Sequence, residues 1–311
     1  MKSKVNRIQT LKSEKDAVIL AHYYIRDEIQ EIADYVGDSY YLSELATQVK
    51  AQNIVLCGVK FMGESVKILN PDKTVLMPEI NADCPMAHMV TPERIRDVKG
   101  KYEDLAVVCY VNSTAKIKTY ADVCVTSSNA LKIIRALPNR NIFFIPDEHL
   151  GRYIAGLVPE KHFIFNDGYC HVHASLSKTD IEKVKKARPK AKLLAHPECK
   201  LEVLAYADYI GSTSGIIEYA SKSNAQEFIV ATEIGVMHEL HQRNPNKKFY
   251  AAGNLLICPD MKKITLDKII QVMETGNPSI QLDQGLIKNA HAPLLRMLEL
   301  ASDKTEVEGV L

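Results

Sequence analysis

Short apolar runs that close on polar side chains recur along this chain. Three of them open stretches of similar layout: Ala17-Val-Ile-Leu-Ala-His-Tyr-Tyr24, Ala106-Val-Val-Cys-Tyr-Val-Asn112 and Lys192-Leu-Leu-Ala-His-Pro-Glu198. Runs this short and this apolar predict strands buried on both faces. In each stretch a helical segment then leads to a second strand around an Ala-Asp pair. These pairs stand in Ile32-Ala-Asp-Tyr-Val-Gly-Asp-Ser39, Tyr120-Ala-Asp-Val-Cys-Val-Thr-Ser127 and Tyr206-Ala-Asp-Tyr-Ile-Gly-Ser-Thr213. Helices over 40–51, 129–137 and 215–223 come next, followed by third strands at 53–57, 141–145 and 227–231. A further helix and a fourth strand (74–77, 162–165 and 248–251) complete each stretch, and the loop leaving that strand carries Cys84, Cys170 or Cys258.

The spacing is that of a repeated structural unit. The three cysteines are 86 and 88 residues apart, and each follows its Ala-Asp aspartate by 50, 48 or 50 residues. Alternating strands and helices imply right-handed crossovers and parallel sheets covered on both faces. The fold class expected is therefore α/β, with three pseudo-threefold-related α/β/α sandwich repeats whose small parallel sheets surround a central cavity. The units are drawn at 1–103, 104–190 and 191–275, with the helices at 91–101 and 179–187 marking the boundaries. A helix at 5–15 stands before the first strand as those two stand before theirs. The remainder, 276–311, carries an amphipathic helix near 285–300 expected to pack back on the first unit.

Ligands of open parallel sheets bind beyond the carboxyl ends of the strands. Matching side chains of the three units should thus meet at one centre. Twelve residues before the aspartates stand His22, Tyr110 and His196; ten before stand Tyr24, Asn112 and Glu198; five after stand Ser39, Ser127 and Thr213, the last beside Ser212. All are polar. The hydroxyls open helices, whose N-termini cap well with Ser or Thr and hold anions. Asp34, Asp122 and Asp208 themselves read as structural groups of the second strands. Three thiolates suit zinc with one further ligand, or a 4Fe-4S cluster with one open iron. Cys57, Cys109, Cys124 and Cys199 do not recur and read as buried apolar thiols.

Composition narrows the class. The 311 residues are 46% hydrophobic and 25% charged, with a formal net charge of +1, which gives no electrostatic case for nucleic acid or a membrane surface. No apolar run is long enough to span a bilayer, and the start Met1-Lys-Ser-Lys-Val lacks a signal-peptide core. A cytoplasmic setting is expected, and the seven cysteines lack a Cys-x-x-Cys pair and a disulfide framework.

Nine motifs in order resemble the quinolinate synthase family over nearly the whole chain. They are Ala21-His22-Tyr23-Tyr24, Gly37-Asp38-Ser39, Cys84-Pro85-Met86-Ala87, Tyr110-Val111-Asn112-Ser113, Gly168-Tyr169-Cys170-His171-Val172-His173, His196-Pro197-Glu198-Cys199, Gly211-Ser212-Thr213-Ser214, Thr232-Glu233-Ile234-Gly235 and Cys258-Pro259-Asp260-Met261-Lys262. The resemblance implies condensation of iminoaspartate with dihydroxyacetone phosphate to quinolinate, in NAD biosynthesis, with loss of phosphate and two waters. It implies a 4Fe-4S cluster on Cys84, Cys170 and Cys258, its open iron acting as a Lewis acid. It places His22, Ser39, Tyr110, Asn112, Ser127, His196, Glu198, Ser212 and Thr213 on the substrates, with Lys222 near the cavity. Tyr24 and Glu198 match proton-transfer residues, with His22 and His196 beside them. A functional link to an iminoaspartate-producing enzyme follows from the same likeness. Some members carry a Cys-x-x-Cys at the last ligand; Met261 stands there instead, so no regulatory disulfide is expected. The alternative reading is another iron–sulfur hydro-lyase acting on a small di- or tricarboxylate.

Overall fold

The computed structural model describes residues 2–302. Twelve strands form three four-stranded parallel sheets. The first holds β1 (Ala17–His22), β2 (Tyr35–Gly37), β3 (Asn53–Cys57) and β4 (Thr74–Leu76). The second holds β5 (Leu105–Tyr110), β6 (Val123–Val125), β7 (Asn141–Ile145) and β8 (His162–Phe165). The third holds β9 (Lys192–Ala195), β10 (Tyr209–Ile210), β11 (Glu227–Ala231) and β12 (Lys248–Ala251). All three share one order: second strand, first, third, fourth. The chain reverses its winding direction beside each first strand, and there a parallel sheet opens a crevice at its carboxyl edge.

The repeated aspartates are structural, and they lie one residue before the second strands. Each carboxylate accepts a first-strand N–H: Asp34 from Ile19 (2.8 Å), Asp122 from Val107 (2.7 Å) and Asp208 from Leu193 (2.7 Å). A lysine on the helix preceding each unit reaches the same carboxylate: Lys12 at 2.7 Å, Lys99 at 4.0 Å and Lys185 at 3.5 Å. Those helices, Lys2–Glu14, Pro92–Lys101 and Lys178–Ala187, occupy equivalent places. Thr91 and Ser177 start the latter two by accepting N–H groups of the first turn, so the chain turns into each new unit at a capped helix.

The end of the chain departs from the simple expectation. The helix Gln284–Ser302 packs on the helix Lys60–Leu69 of the first unit and also on β6 and the helices Ala115–Lys118 and Ala130–Ala136 of the second. Its apolar side, with Ala290, Leu294 and Met297 buried, fills the seam between two units rather than covering one. The helix Leu266–Thr275 lies against Lys2–Glu14. Residues 303–311, the end of the expected last segment, fall outside the described residues.

Burial is unevenly shared. One continuous core joins the first two units and the returning segment from Met261 through Met297. The third unit holds two further cores, one around Leu193, Val203 and Ile229, which also takes in Val172, Leu176 and Ile181 from the end of the second unit, and one around Ile216, Phe228 and Leu240. The second of these accepts Tyr23 from the first unit.

Candidate active site

The carboxyl edges of the three sheets face one cavity of about 760 Å³ of empty space, its open mouth included. His22, Tyr110 and His196 end or follow the first strands and line it, as do Tyr24, Asn112 and Glu198 two residues on. Ser39, Ser127 and Thr213 join them, with Cys84, Cys170 and Cys258 from the loops after the fourth strands. Ser212 caps its helix just outside the lining set, accepting the Gly215 N–H at 3.2 Å. Lys222 does not reach the cavity. It ends the helix Thr213–Lys222 that Thr213 begins, so the length of that helix, about 13 Å, lies between them. Its side chain is 77% exposed and pairs with Glu218.

Ser39 and Thr213 do not cap the helices they begin. Asp38 caps the helix Ser39–Gln48 by accepting the Tyr41 N–H, as Ser212 caps Thr213–Lys222. Ser39 and Thr213 each occupy the first helical position, which leaves their side chains free to face the cavity. Ser127 sits in the turn before Ala130–Ala136, 3.2 Å from His196 Nε2.

Two histidines are set alike. The N–H of Tyr24 donates to His22 Nδ1 (3.1 Å), and that of Glu198 to His196 Nδ1 (3.3 Å). An Nδ1 that accepts leaves Nε2 to carry the proton. Burial lowers both imidazoles to about 3, so at neutral pH each is an uncharged ring presenting an N–H donor.

A chain of short contacts links Tyr24 to Glu198 through residues that have no counterpart in the other units. Tyr24 Oη meets Thr232 Oγ1 at 2.8 Å, Thr232 Oγ1 meets His173 Nε2 at 2.9 Å, and His173 Nδ1 meets Glu198 Oε2 at 2.7 Å. Thr213 Oγ1 also touches Tyr24 Oη, at 2.8 Å. The chain therefore crosses all three units. Burial alone would raise the Glu198 carboxyl, but His173 and His196 outweigh burial and hold it low, at about 2. Burial and the Glu198 charge push the Tyr24 and Tyr110 hydroxyls well up. Glu198 Oε1 is buried without a hydrogen-bond partner, a carboxylate oxygen left for something in the cavity.

The lining carries Asp38, Glu198, Glu233 and three thiols, and among the described residues no lysine or arginine. Burial raises Cys84, Cys170 and Cys258 alike. Three thiolates gathered there need a cation, and a metal centre is the partner that such a donor set fits. Cys170, His173 and Glu198 each also bring one donor atom within 4.8 Å of the other two, a second arrangement able to hold an ion.

Known proteins carry the same chain plan. The family model described as "Quinolinate synthetase A protein" matches residues 6–299. The chain belongs to the quinolinate synthase family. A quinolinate synthase of Fusobacterium nucleatum is 53% identical over 298 residues, 96% of this chain and 99% of that one. One from Clostridioides difficile is 50% identical, covering 95% and 97% of the two chains. "Quinolinate synthase 2" of Methanosarcina acetivorans is 45% identical, with 94% of each chain covered. The chain is accordingly an enzyme of this family, and no helix among the described residues is long and apolar enough to cross a membrane.

Proposed function

We propose that this enzyme condenses iminoaspartate with dihydroxyacetone phosphate and releases quinolinate, phosphate and two waters. The observation that carries the reading is the meeting of donors, acid–base groups and thiols from three units at one cavity. Two substrates with carboxylates and a phosphate need several donors at once. The neutral His22 and His196 offer N–H groups, while Ser39, Thr213, Ser127 and Asn112 offer hydroxyls and an amide. The helices Ser39–Gln48 and Thr213–Lys222 aim their N-termini at the same space.

Protons are then moved by the remaining groups. Glu198 is ionised, and its free oxygen is placed to take a carbon-bound proton. Tyr24 keeps its proton and so serves as the donor to a departing oxygen or an imine nitrogen. Thr232 and His173 join the two, so that a proton taken at Glu198 is handed back to Tyr24 without bulk water. Cys84, Cys170 and Cys258 would hold a 4Fe-4S cluster, which supplies Lewis acidity toward a substrate oxygen when bound.

The test is direct. Anaerobically purified protein is assayed for iron, sulfide and quinolinate formation from dihydroxyacetone phosphate and iminoaspartate generated in place. Three to four irons per chain with quinolinate produced is the expected result. A fully iron-loaded protein that forms no quinolinate overturns the proposal.

A further inference from the structure

Beside the proton chain, two side chains tie the first and third units together. Glu233 is 1% exposed and gathers donors from three places. Its Oε2 accepts the Gly235 N–H at 2.6 Å, and its Oε1 accepts the Cys258 N–H at 3.1 Å and Lys262 Nζ at 3.0 Å. Lys262 Nζ also donates to the carbonyl of Tyr24 at 2.5 Å. The Lys262 carbonyl accepts from Arg26 Nε at 3.0 Å. Glu233 lines the cavity, whereas Lys262 lines a separate outer groove with Arg26, Ile234 and Ile257, so the pair spans the wall between the two spaces.

We propose that Glu233 and Lys262 are positioning residues for the reaction, holding the Tyr24 hydroxyl and the Cys258 thiol in fixed relation across the seam between the first and third units. Tyr24 is fixed through its backbone carbonyl, and Cys258 through its backbone amide. One ammonium and one carboxylate therefore join the proton donor of one unit to the thiol of another. A buried ion pair is a poor device for stability, because desolvation takes back much of the attraction. Its use here is geometric. No neutral side chain of this size could replace Glu233, because a glutamine has one acceptor oxygen and would turn its amide N–H₂ toward an N–H donor. Displacements near 1 Å in such a constellation cost on the order of a hundredfold in rate.

The inference rests on the reading of the cavity as the reaction centre. Its test therefore joins a kinetic measurement with one that needs no catalysis. The variants are Glu233→Gln, Lys262→Met and the double variant. In metal-free protein, the rate of Cys258 alkylation by iodoacetamide is followed by mass spectrometry, with the fully buried Cys57 as the check on folding. Each variant should alkylate Cys258 at least about fivefold faster than wild type, with Cys57 unchanged, and the loaded enzymes should lose roughly 30- to 100-fold in kcat with KM within about threefold. The double variant decides the matter, since it leaves no unpaired charge. If it recovers wild-type alkylation and turnover, the pair is only a matched set of charges and the proposal fails. If it stays slow and reactive, the positions are what was lost. Altered Cys258 alkylation in a protein that never forms quinolinate overturns the reaction and keeps the clasp.

Discussion

Thr232→Val cuts the proton chain at its middle. Thr232 is fully buried, and valine keeps its shape while removing one oxygen. Tyr24 Oη retains its contact to Thr213 at 2.8 Å, so the tyrosine stays anchored. His173 Nε2 loses the partner it has at 2.9 Å and is left unsatisfied in a buried place. Leaving such a group unpaired costs about 1–3 kcal/mol of stability. The larger effect falls on turnover. Without the hydroxyl, a proton collected at Glu198 no longer returns to Tyr24, and general acid–base catalysis is worth about 10²–10⁴-fold, or roughly 3–5 kcal/mol of barrier. Single-turnover quinolinate formation under anaerobic conditions reads this loss. Binding of a dicarboxylate analogue and iron content, measured on the same samples, should stay within about twofold of wild type, because Thr232 is not among the cavity-lining residues. Thr232→Ser restores the oxygen and should recover turnover to within about threefold. A valine variant that turns over at near wild-type rate would refute the relay.

The other expectations concern the thiols, the anion contacts and acid stability. Cys84→Ala, Cys170→Ala and Cys258→Ala should each lose iron and sulfide, whereas Cys57→Ala keeps both; full iron content in Cys170→Ala would sink the ligand assignment. Ser127→Ala should weaken a dicarboxylate inhibitor by about 10- to 100-fold, since a hydroxyl bonded to a charged ligand is worth about 1.5–3 kcal/mol, while Lys222→Ala should leave affinity and rate unchanged. Metal-free protein should lose stability as pH falls below about 6.5. His22 and His196 are lowered to about 3 in the folded state, so the unfolded chain takes up those protons first. Their contribution is complete above the ordinary histidine range and declines by roughly 2.7 kcal/mol per pH unit for the two together. Glu198, held at about 2, adds in the same direction below the ordinary carboxylate range. Urea midpoints that stay flat from pH 7 to 5 would contradict this.

Much of the architecture was legible because each unit repeats the same buried strands. An apolar run covered on both faces leaves little choice of element, and β3, β7, β8, β11 and β12 fall where the runs predict. The repeat also exposed the nine polar positions and three cysteines, because equivalent places on equivalent sheets must face one axis. The same logic hid His173 and Thr232. Three residues after Cys84 and Cys258 stand Ala87 and Met261, and the residues after β3 and β7 are Gly58 and Pro146. Neither position recurs as polar, so counting could not find it; the hydrogen-bond chain did. Lys222 was misplaced for a related reason. A motif fixes a position along the chain, but a helix of ten residues separates its two ends by more than a side chain can reach. By residue type the hydroxyls at the helix starts suit both capping and anion binding, and for Ser39 and Thr213 the capping falls to the preceding residue.

The division of the core sets how this molecule breathes. The first two units and the returning segment share one apolar interior. The third unit, apart from its returning segment, packs into two other interiors, which also take in Val172, Leu176 and Ile181 from the second unit and Tyr23 from the first. It also carries Glu198, Thr213, Thr232 and Cys258. His173 sits between Val172 and Leu176 of the first of those interiors, so a rotation of the third unit against the first would part Tyr24 from Thr213 and Thr232 while leaving His173 on Glu198. An intact proton chain therefore requires the seam between Tyr24 and the third unit to be shut, and amide exchange in residues 191–256 would report its opening.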